Sequence, residues 1–478
     1  MSHTLKQPFF SRSHIVDFFK FLICIFVGAI FWHFPAPQGV DPRGMPIFGV
    51  FLFTVLAVVL KPLPSGAICI FSLTVLPLTQ VLSFEDTFVG FSNPVVWLIA
   101  SAFFIARGFI KTGLGLRLAY LLIKAMGKSS LGIAYGMTLT DFVLAPAIPS
   151  VTARIGGIVY PVVLSIAKAF GSDPDHSPRK IGGFLIQTIF QSGTVSSAMF
   201  LTAMAGNPMV LNLVKPYGVS ISWTEWAIAG IVPGLLSLLA IPYILFKLYP
   251  PEMKETPDAP LRADQELKAM GSLKSDEIWM LGVFLVLVFL WSFGSSWLTA
   301  TLTALVGLAL LLISRVLSWE DVLKEKGAWD TLVWFATLLT LAGYITKFGL
   351  ADWFGEIVKG HFVGLDWGWG LLILAVIYFY SHYFFASNLA HIGALLLPFF
   401  VVAVNLGAPV NLAAFVFGFI SSLFGSLTHF GSGPAPILYG SNFVRIGDWW
   451  KLGFLISIAN ILIWGIVGTL WWKLIGVF

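Results

Sequence analysis

Apolar runs of membrane-spanning length recur along almost the whole chain. They lie near 16–34, 44–62, 65–82, 91–110, 181–206, 223–248, 278–292, 296–315, 329–348, 409–430 and 450–475. A helix rises ~1.5 Å per residue, so ~20 apolar residues cross the hydrocarbon core. The chain of 478 residues is 58% hydrophobic and only 11% charged, against about 25% charged in an ordinary soluble domain. A soluble enzyme, a disordered chain and a nucleic-acid binder are thereby excluded. The expected fold is an all-α polytopic membrane protein with eleven transmembrane helices.

Two further apolar stretches, 129–170 and 367–405, are about twice the length of a single crossing and are interrupted near the middle. The first breaks at Pro146-Ala147-Ile148-Pro149-Ser150 and the second at Phe385-Ala386-Ser387-Asn388. Proline and small polar residues stop a helix, and a chain that enters, turns and leaves on one side fits both. These are expected re-entrant hairpins. The polar segment 249–277, rich in charge and proline, reads as a cytoplasmic linker between two halves, with the N-terminus (Lys6, Arg12) on the same side. The net charge of +5 fits loop Lys and Arg facing the cytoplasm. Cys24 and Cys69 sit in apolar runs and read as small buried hydrophobes. Residues 1–43 form an N-terminal segment with a first, uncleaved helix.

The halves, 44–248 and 278–478, repeat each other. Leu82-Ser83-Phe84-Glu85-Asp86 matches Leu317-Ser318-Trp319-Glu320-Asp321, Lys111-Thr112-Gly113 matches Lys347-Phe348-Gly349, and Ser150-Val151-Thr152-Ala153-Arg154 stands against Ser387-Asn388-Leu389-Ala390-His391. Leu201-Thr202 with Pro208 matches Leu427-Thr428 with Pro434. Five crossings and one hairpin per half make the second copy inverted. Inverted repeats with broken helices are an architecture of secondary transporters.

Candidate binding residues follow from the breaks. A helix that starts at a hairpin tip points about half a positive charge and free N–H groups at whatever lies beyond it. Ser150 and Thr152 occupy one tip, Ser387 and Asn388 the other; ordinary N-capping by Ser and Asn is the alternative. Arg154 and His391 each lie four residues after the tip serine, one helical turn on. Arg154 either meets an anion or pairs structurally with Asp141. His391 either faces the site or is a neutral interior histidine. Thr202 and Thr428, with Ser432 and the nearby glycines and prolines, break a spanning helix in each half and either supply polar groups or kink tightly packed helices. His382 and His429 are hydrogen-bonding or proton-sensitive candidates. No metal-ligand cluster, phosphate-binding loop or catalytic triad appears, so no cofactor and no enzymatic activity is expected.

The motifs Pro149-Ser150-Val151-Thr152-Ala153-Arg154 and Phe385-Ala386-Ser387-Asn388-Leu389-Ala390-His391 resemble the paired hairpin motifs of the divalent anion:sodium symporter family, in its 2-oxoglutarate/malate translocator branch. The segments Lys124–Gly132 and Trp464–Lys473 resemble that branch too. The resemblance implies a homodimer in the lipid bilayer. Each protomer would have a scaffold domain, from the first three helices of each half, and a transport domain carrying the hairpins, which moves like an elevator with a di- or tricarboxylate. Ser150, Val151, Thr152, Arg154, Ser387, Asn388, His391, Thr202, Thr428 and Ser432 are then the expected substrate-binding set. The family's symporters carry Ser-Asn-Thr at both tips. Val151 and Leu389 depart from that pattern and count against sodium coordination. The expected activity is sodium-independent exchange of dicarboxylates such as 2-oxoglutarate and malate, with a sodium-coupled symporter as the alternative. In that expectation the charge of Arg154, and of a protonated His391, holds the empty carrier back until a dianion cancels it. A multi-pass protein of the bacterial plasma membrane is expected, since no transit peptide precedes the first helix.

Overall fold

A computed structural model describes residues 12–294, 296–350, 352–354, 357 and 366–478, with side chains from Ile15 onward. Lys6, half of the basic N-terminus, lies outside the described residues. All named secondary structure among the described residues is helical. Eight helices are long and apolar enough to cross a membrane, and four shorter apolar helices accompany them. Large apolar side chains such as Phe18, Phe26, Leu239 and Leu470 are exposed on the outside, as expected where hydrocarbon rather than water is the solvent.

The repeat is visible element by element. The first half runs Gly44–Leu60, Ser65–Leu78, Pro94–Thr112, a broken pair Ser130–Leu144 and Thr152–Ala169, a broken pair Gly182–Met199 and Gly206–Val214, then Trp223–Leu248. The second runs Ser275–Phe293, Ala300–Ile313, Lys326–Lys347, a broken pair Trp367–Tyr380 and Asn388–Asn405, a broken pair Val410–Leu423 and Ala435–Tyr439, then Ile446–Leu474. The matched Leu-Ser-aromatic-Glu-Asp motifs do the same job in each half. Ser83 caps the short helix Phe84–Thr87 by accepting from the Asp86 N–H at 3.0 Å, and Ser318 caps Trp319–Lys324 by accepting from the Asp321 N–H at 3.2 Å. A serine hydroxyl satisfies a first-turn N–H that has no intrahelical partner.

Both tip interruptions fall where expected, for different reasons. At the first, Pro149 disfavours helix in the residue before it, and Ile148 is extended at φ −121°, ψ 91°. The second has no proline. Phe385 and Ser387 are extended, and Ser387 restarts the helix as its N-cap.

The helices form two packed groups. Lys326–Lys347 packs on Gly44–Leu60, Ser65–Leu78 and Pro94–Thr112, and Pro94–Thr112 also meets Ser275–Phe293 and Ala300–Ile313. In the other group, Gly182–Met199 packs on Ser130–Leu144, Trp223–Leu248 and Val410–Leu423, and the last of these meets Gly206–Val214 and Trp367–Tyr380. Both breaks of both halves therefore sit in one group.

Between Pro94–Thr112 and the first tip, Gly113 (φ +79°) turns the chain into a helix, Leu114–Met126. It is matched by a helix inside the polar linker, Ala259–Met270, which lies against it. The linker is strapped on through several contacts. Lys124 Nζ meets Asp264 Oδ1 at 2.6 Å, the Thr256 hydroxyl donates to the Gly127 carbonyl at 2.7 Å, and the Ser130 N–H donates to the Lys254 carbonyl at 2.9 Å. Arg117, nearly buried, makes a two-point contact with Glu277 at 2.6 and 3.0 Å. Cys24 and Cys69 are free and buried.

Candidate functional site

The two tips meet in one cavity of about 170 Å³, smaller than the ~300–1,000 Å³ of drug-sized sites and suited to a small solute. Ser150, Val151 and Thr152 line it from the first tip, and Ser387, Asn388 and Leu389 from the second. Ser432 and Gly433 of one broken helix, Met204 of the other, and Thr194 and Ser197 of Gly182–Met199 complete the polar and small part of the wall. Phe103 closes it from the other helix group.

The tip serines are N-caps and remain donors. Ser150 Oγ accepts from the Ala153 N–H at 3.2 Å, and Ser387 Oγ accepts from the Ala390 N–H at 3.4 Å. Capping uses a lone pair and leaves the hydroxyl hydrogen for another acceptor. The first-turn N–H groups of Val151, Thr152, Asn388 and Leu389 have no intrahelical carbonyl by position. Two facing helix starts of this kind suit two anionic oxygen groups. Asn388 Nδ2 donates to the Ser421 carbonyl at 3.1 Å, while Asn388 Oδ1 and Ser432 Oγ, both in the cavity wall, are buried without a hydrogen-bond partner.

The tips cross over to the opposite half. A Cβ on Gly433 of the second half would lie 2.1 Å from Thr152 Oγ1, and one on Gly206 of the first half would lie 3.3 Å from Leu389 Cδ2. Each tip is thus backed by the broken helix of the other repeat, in a position where only a small residue fits.

Four expected binding residues lie outside the cavity wall. Arg154 is fully buried behind the first tip. Its Nε meets Asp141 Oδ1 at 2.5 Å, Nη1 donates to the Ile148 and Ala203 carbonyls at 2.7 and 2.9 Å, and Nη2 donates to Ser197 Oγ at 2.7 Å. The pairing with Asp141 is therefore the arrangement found, and Arg154 reaches the cavity only through Ser197. The expectation of an unpaired arginine charge in the empty carrier is corrected by that ion pair. His391 is buried behind the second tip, with Nδ1 3.1 Å from His382 Nδ1 and Nε2 2.9 Å from Ser381 Oγ. The Thr202 hydroxyl donates to the Pro146 carbonyl and accepts from Trp223 Nε1 at 2.9 Å, tying the break to the first tip. Thr428 Oγ1 is buried and unpartnered.

Thr194, Ser197, Met204 and Ser422 line the cavity and were not among the expected set. The three-residue spacing of Thr194 and Ser197 puts both on one helix face, a signal present in the sequence.

A polytopic helical protein whose two interrupted repeats converge on one small cavity, largely apolar with hydroxyls and an amide at the two tips, has the architecture of a membrane transporter. The chain is a member of the family described as the sodium:sulfate symporter transmembrane region, which matches residues 16–478. It is 50% identical over 470 residues to the putative malate transporter YflS of Bacillus subtilis, covering 98% of both chains. It is 47% identical over 464 residues to the chloroplastic dicarboxylate transporter 1 of Spinacia oleracea, covering 96% of this chain and 81% of that one. The fold is shared with the YdaH transporter of Alcanivorax borkumensis at a TM-score of 0.61 and 11% identity, over 98% of this chain and 99% of that chain.

Proposed function

We propose that the protein carries dicarboxylates such as malate and 2-oxoglutarate across a bacterial plasma membrane, as a homodimer, in sodium-independent exchange. The observation that carries this reading is the meeting of two N-capped tips in one cavity with unpartnered polar atoms. One carboxylate sits at each tip, held by the Ser150 hydroxyl and the Val151 and Thr152 N–H groups, and by the Ser387 hydroxyl and the Asn388 and Leu389 N–H groups. Val151, Leu389 and Met204 lie along the carbon chain between them. The names of the Bacillus subtilis and Spinacia oleracea relatives support this substrate class.

Exchange rests on the cost of moving an empty site. In an elevator movement the tip-bearing group slides past the group that holds Phe103, and the cavity passes through a dry state. An unsatisfied buried donor or acceptor costs about 1–3 kcal/mol. The four tip N–H groups and the Ser432 hydroxyl are donors that raise the barrier together unless the carboxylates of a substrate accept from them. Arg154 adds nothing to that barrier, because Asp141 already neutralises it. Val151 and Leu389 remove an oxygen from each tip where the symporter pattern has a polar residue, which supports sodium independence. Sodium-coupled symport is the second reading, favoured by the unpartnered hydroxyls of Thr428 and Ser432 in the second half's break.

Uptake of labelled malate into proteoliposomes, preloaded with malate or empty, with and without sodium, tests the proposal. Uptake confined to preloaded vesicles and indifferent to sodium is expected. Uptake into empty vesicles driven by a sodium gradient would establish the second reading instead.

A further inference from the structure

Behind the second tip two histidines form a hydrogen-bonded chain whose contacts can be counted against the hydrogens available. His382 Nε2 lies 2.8 Å from the Gly431 carbonyl oxygen, which only accepts, so Nε2 carries a hydrogen. One hydrogen lies between His382 Nδ1 and His391 Nδ1, 3.1 Å apart. When the Ser381 hydroxyl donates to the Tyr378 carbonyl at 2.9 Å, its oxygen is left to accept from His391 Nε2 at 2.9 Å; with both rings neutral the hydroxyl turns to donate to Nε2 and the Tyr378 contact is given up. Satisfying all four contacts needs three N–H hydrogens on two rings. Two neutral imidazoles carry two. The arrangement is complete only with one added proton. A second added proton has no place, because it would put two hydrogens between the Nδ1 atoms.

The surroundings fit a shared imidazolium. His391 stacks on Tyr378 and Phe385, with centroids 4.6 Å apart in both cases, and His382 stacks on Phe424 at 4.0 Å. Aromatic faces attract a cation. Residues 367–440 contain no Asp, Glu, Lys or Arg. The helices Gly44–Leu60 and Gly206–Val214, packed on this tip, carry no titratable side chain. Among the described residues the other titratable groups around the pair are Tyr378 (bound to Ser421 Oγ), Tyr380 (bound to Ser457 Oγ), Tyr383 and His429. His429 accepts from Trp450 Nε1 at 3.1 Å and faces Tyr439. The first tip is different: its cation, Arg154, is permanent and already neutralised by Asp141.

We infer that His382 and His391 together form a single-proton site that fills when a dicarboxylate binds. The inference rests on the dicarboxylate reading given above. In the empty carrier, burial disfavours a charged pair. A dianion at the tip one helical turn away favours it. The reaction is one proton from solvent plus two neutral imidazoles, giving three N–H groups and one positive charge. By linkage the proton strengthens substrate binding as much as substrate strengthens proton binding. Each substrate then crosses with a proton, and exchange moves one proton in each direction.

Isothermal titration of malate into the detergent-purified full chain, in buffers of different ionisation enthalpy between about pH 5.5 and 8, reads both affinity and protons taken up. The wild-type protein should take up close to one proton per malate and bind about tenfold more weakly for each unit rise in pH across the window. His391→Gln and His382→Gln should each abolish the uptake and flatten the slope; the second serves if the first does not fold. His429→Gln should retain both. Malate binding without proton uptake would overturn the site. So would a slope unchanged in the two glutamine variants, which would assign the proton to malate itself. No malate binding at any pH would overturn the carrier reading, and this site with it.

Discussion

At the scale of single residues, the buried charges decide more about folding than about ligand contact. Arg154 spends all three of its guanidinium nitrogens on Asp141, two carbonyls and Ser197. Removing one partner of a buried pair leaves an uncompensated charge, at about 3–5 kcal/mol. Asp141→Ala is therefore expected to lower the thermal midpoint sharply or abolish folded protein, whereas Arg154→Met with Asp141→Leu should recover most of it. The check is the melting of purified protein by fluorescence. A stable, active Asp141→Ala protein would contradict the structural role. The sequence made Asp141 a candidate partner, and both buried cysteines and both tip serines were legible from their positions alone. That Arg154 lies behind the tip was not legible. Spacing places a residue one turn from the tip but does not say which way a long side chain folds back.

At the scale of elements, the breaks were readable and two helices were not. Leu114–Met126 and Ala259–Met270 were not among the expected helices, because the first is only 13 residues long and the second, with Arg262, Asp264, Glu266 and Lys268, is too polar to read as a crossing. Asp264 reinforces their pairing through Lys124. Hydrogen bonds from Lys124 and Lys268 hold its carboxyl down at about 2 from a usual value of 3.8. A carboxyl lowered on folding stabilises above its unfolded value and loses that contribution as pH falls toward the folded one. The linker helix should thus stay docked at neutral pH and loosen as pH falls from about 4 toward 2. Asp264→Asn should produce the loosening at pH 7. Hydrogen exchange over Ala259–Met270 reports both, and unchanged protection in Asp264→Asn would contradict the role given to this contact.

At the scale of the whole molecule, the two packed groups touch through few polar contacts, and one of them offers a test of relative movement. Asn93, at the start of Pro94–Thr112, donates from Nδ2 to Asn212 Oδ1 in Gly206–Val214 at 3.0 Å. Asn93→Cys with Asn212→Cys, in a background lacking Cys24 and Cys69, should form a disulfide under mild oxidation. Transport should stop on oxidation and return on reduction. Full transport with the bond formed would rule out sliding of one group past the other. The repeated order of elements was legible because short motifs recur in sequence. The grouping pairs helices hundreds of residues apart, so no local pattern of residues carries it; it was expected only through the family resemblance, and so was the convergence of the two tips on one site.

The most direct measurement is equilibrium binding of malate to the wild-type protein, Ser150→Ala, Ser387→Ala and the double variant. A hydrogen bond to a charged group contributes about 1.5–3 kcal/mol, and loss of a cap about 1 kcal/mol of stability. Each single change should weaken binding by roughly ten- to a hundredfold, and the double variant should bind more weakly than either single one. Unchanged affinity in the double variant would contradict a dicarboxylate held between the two tips.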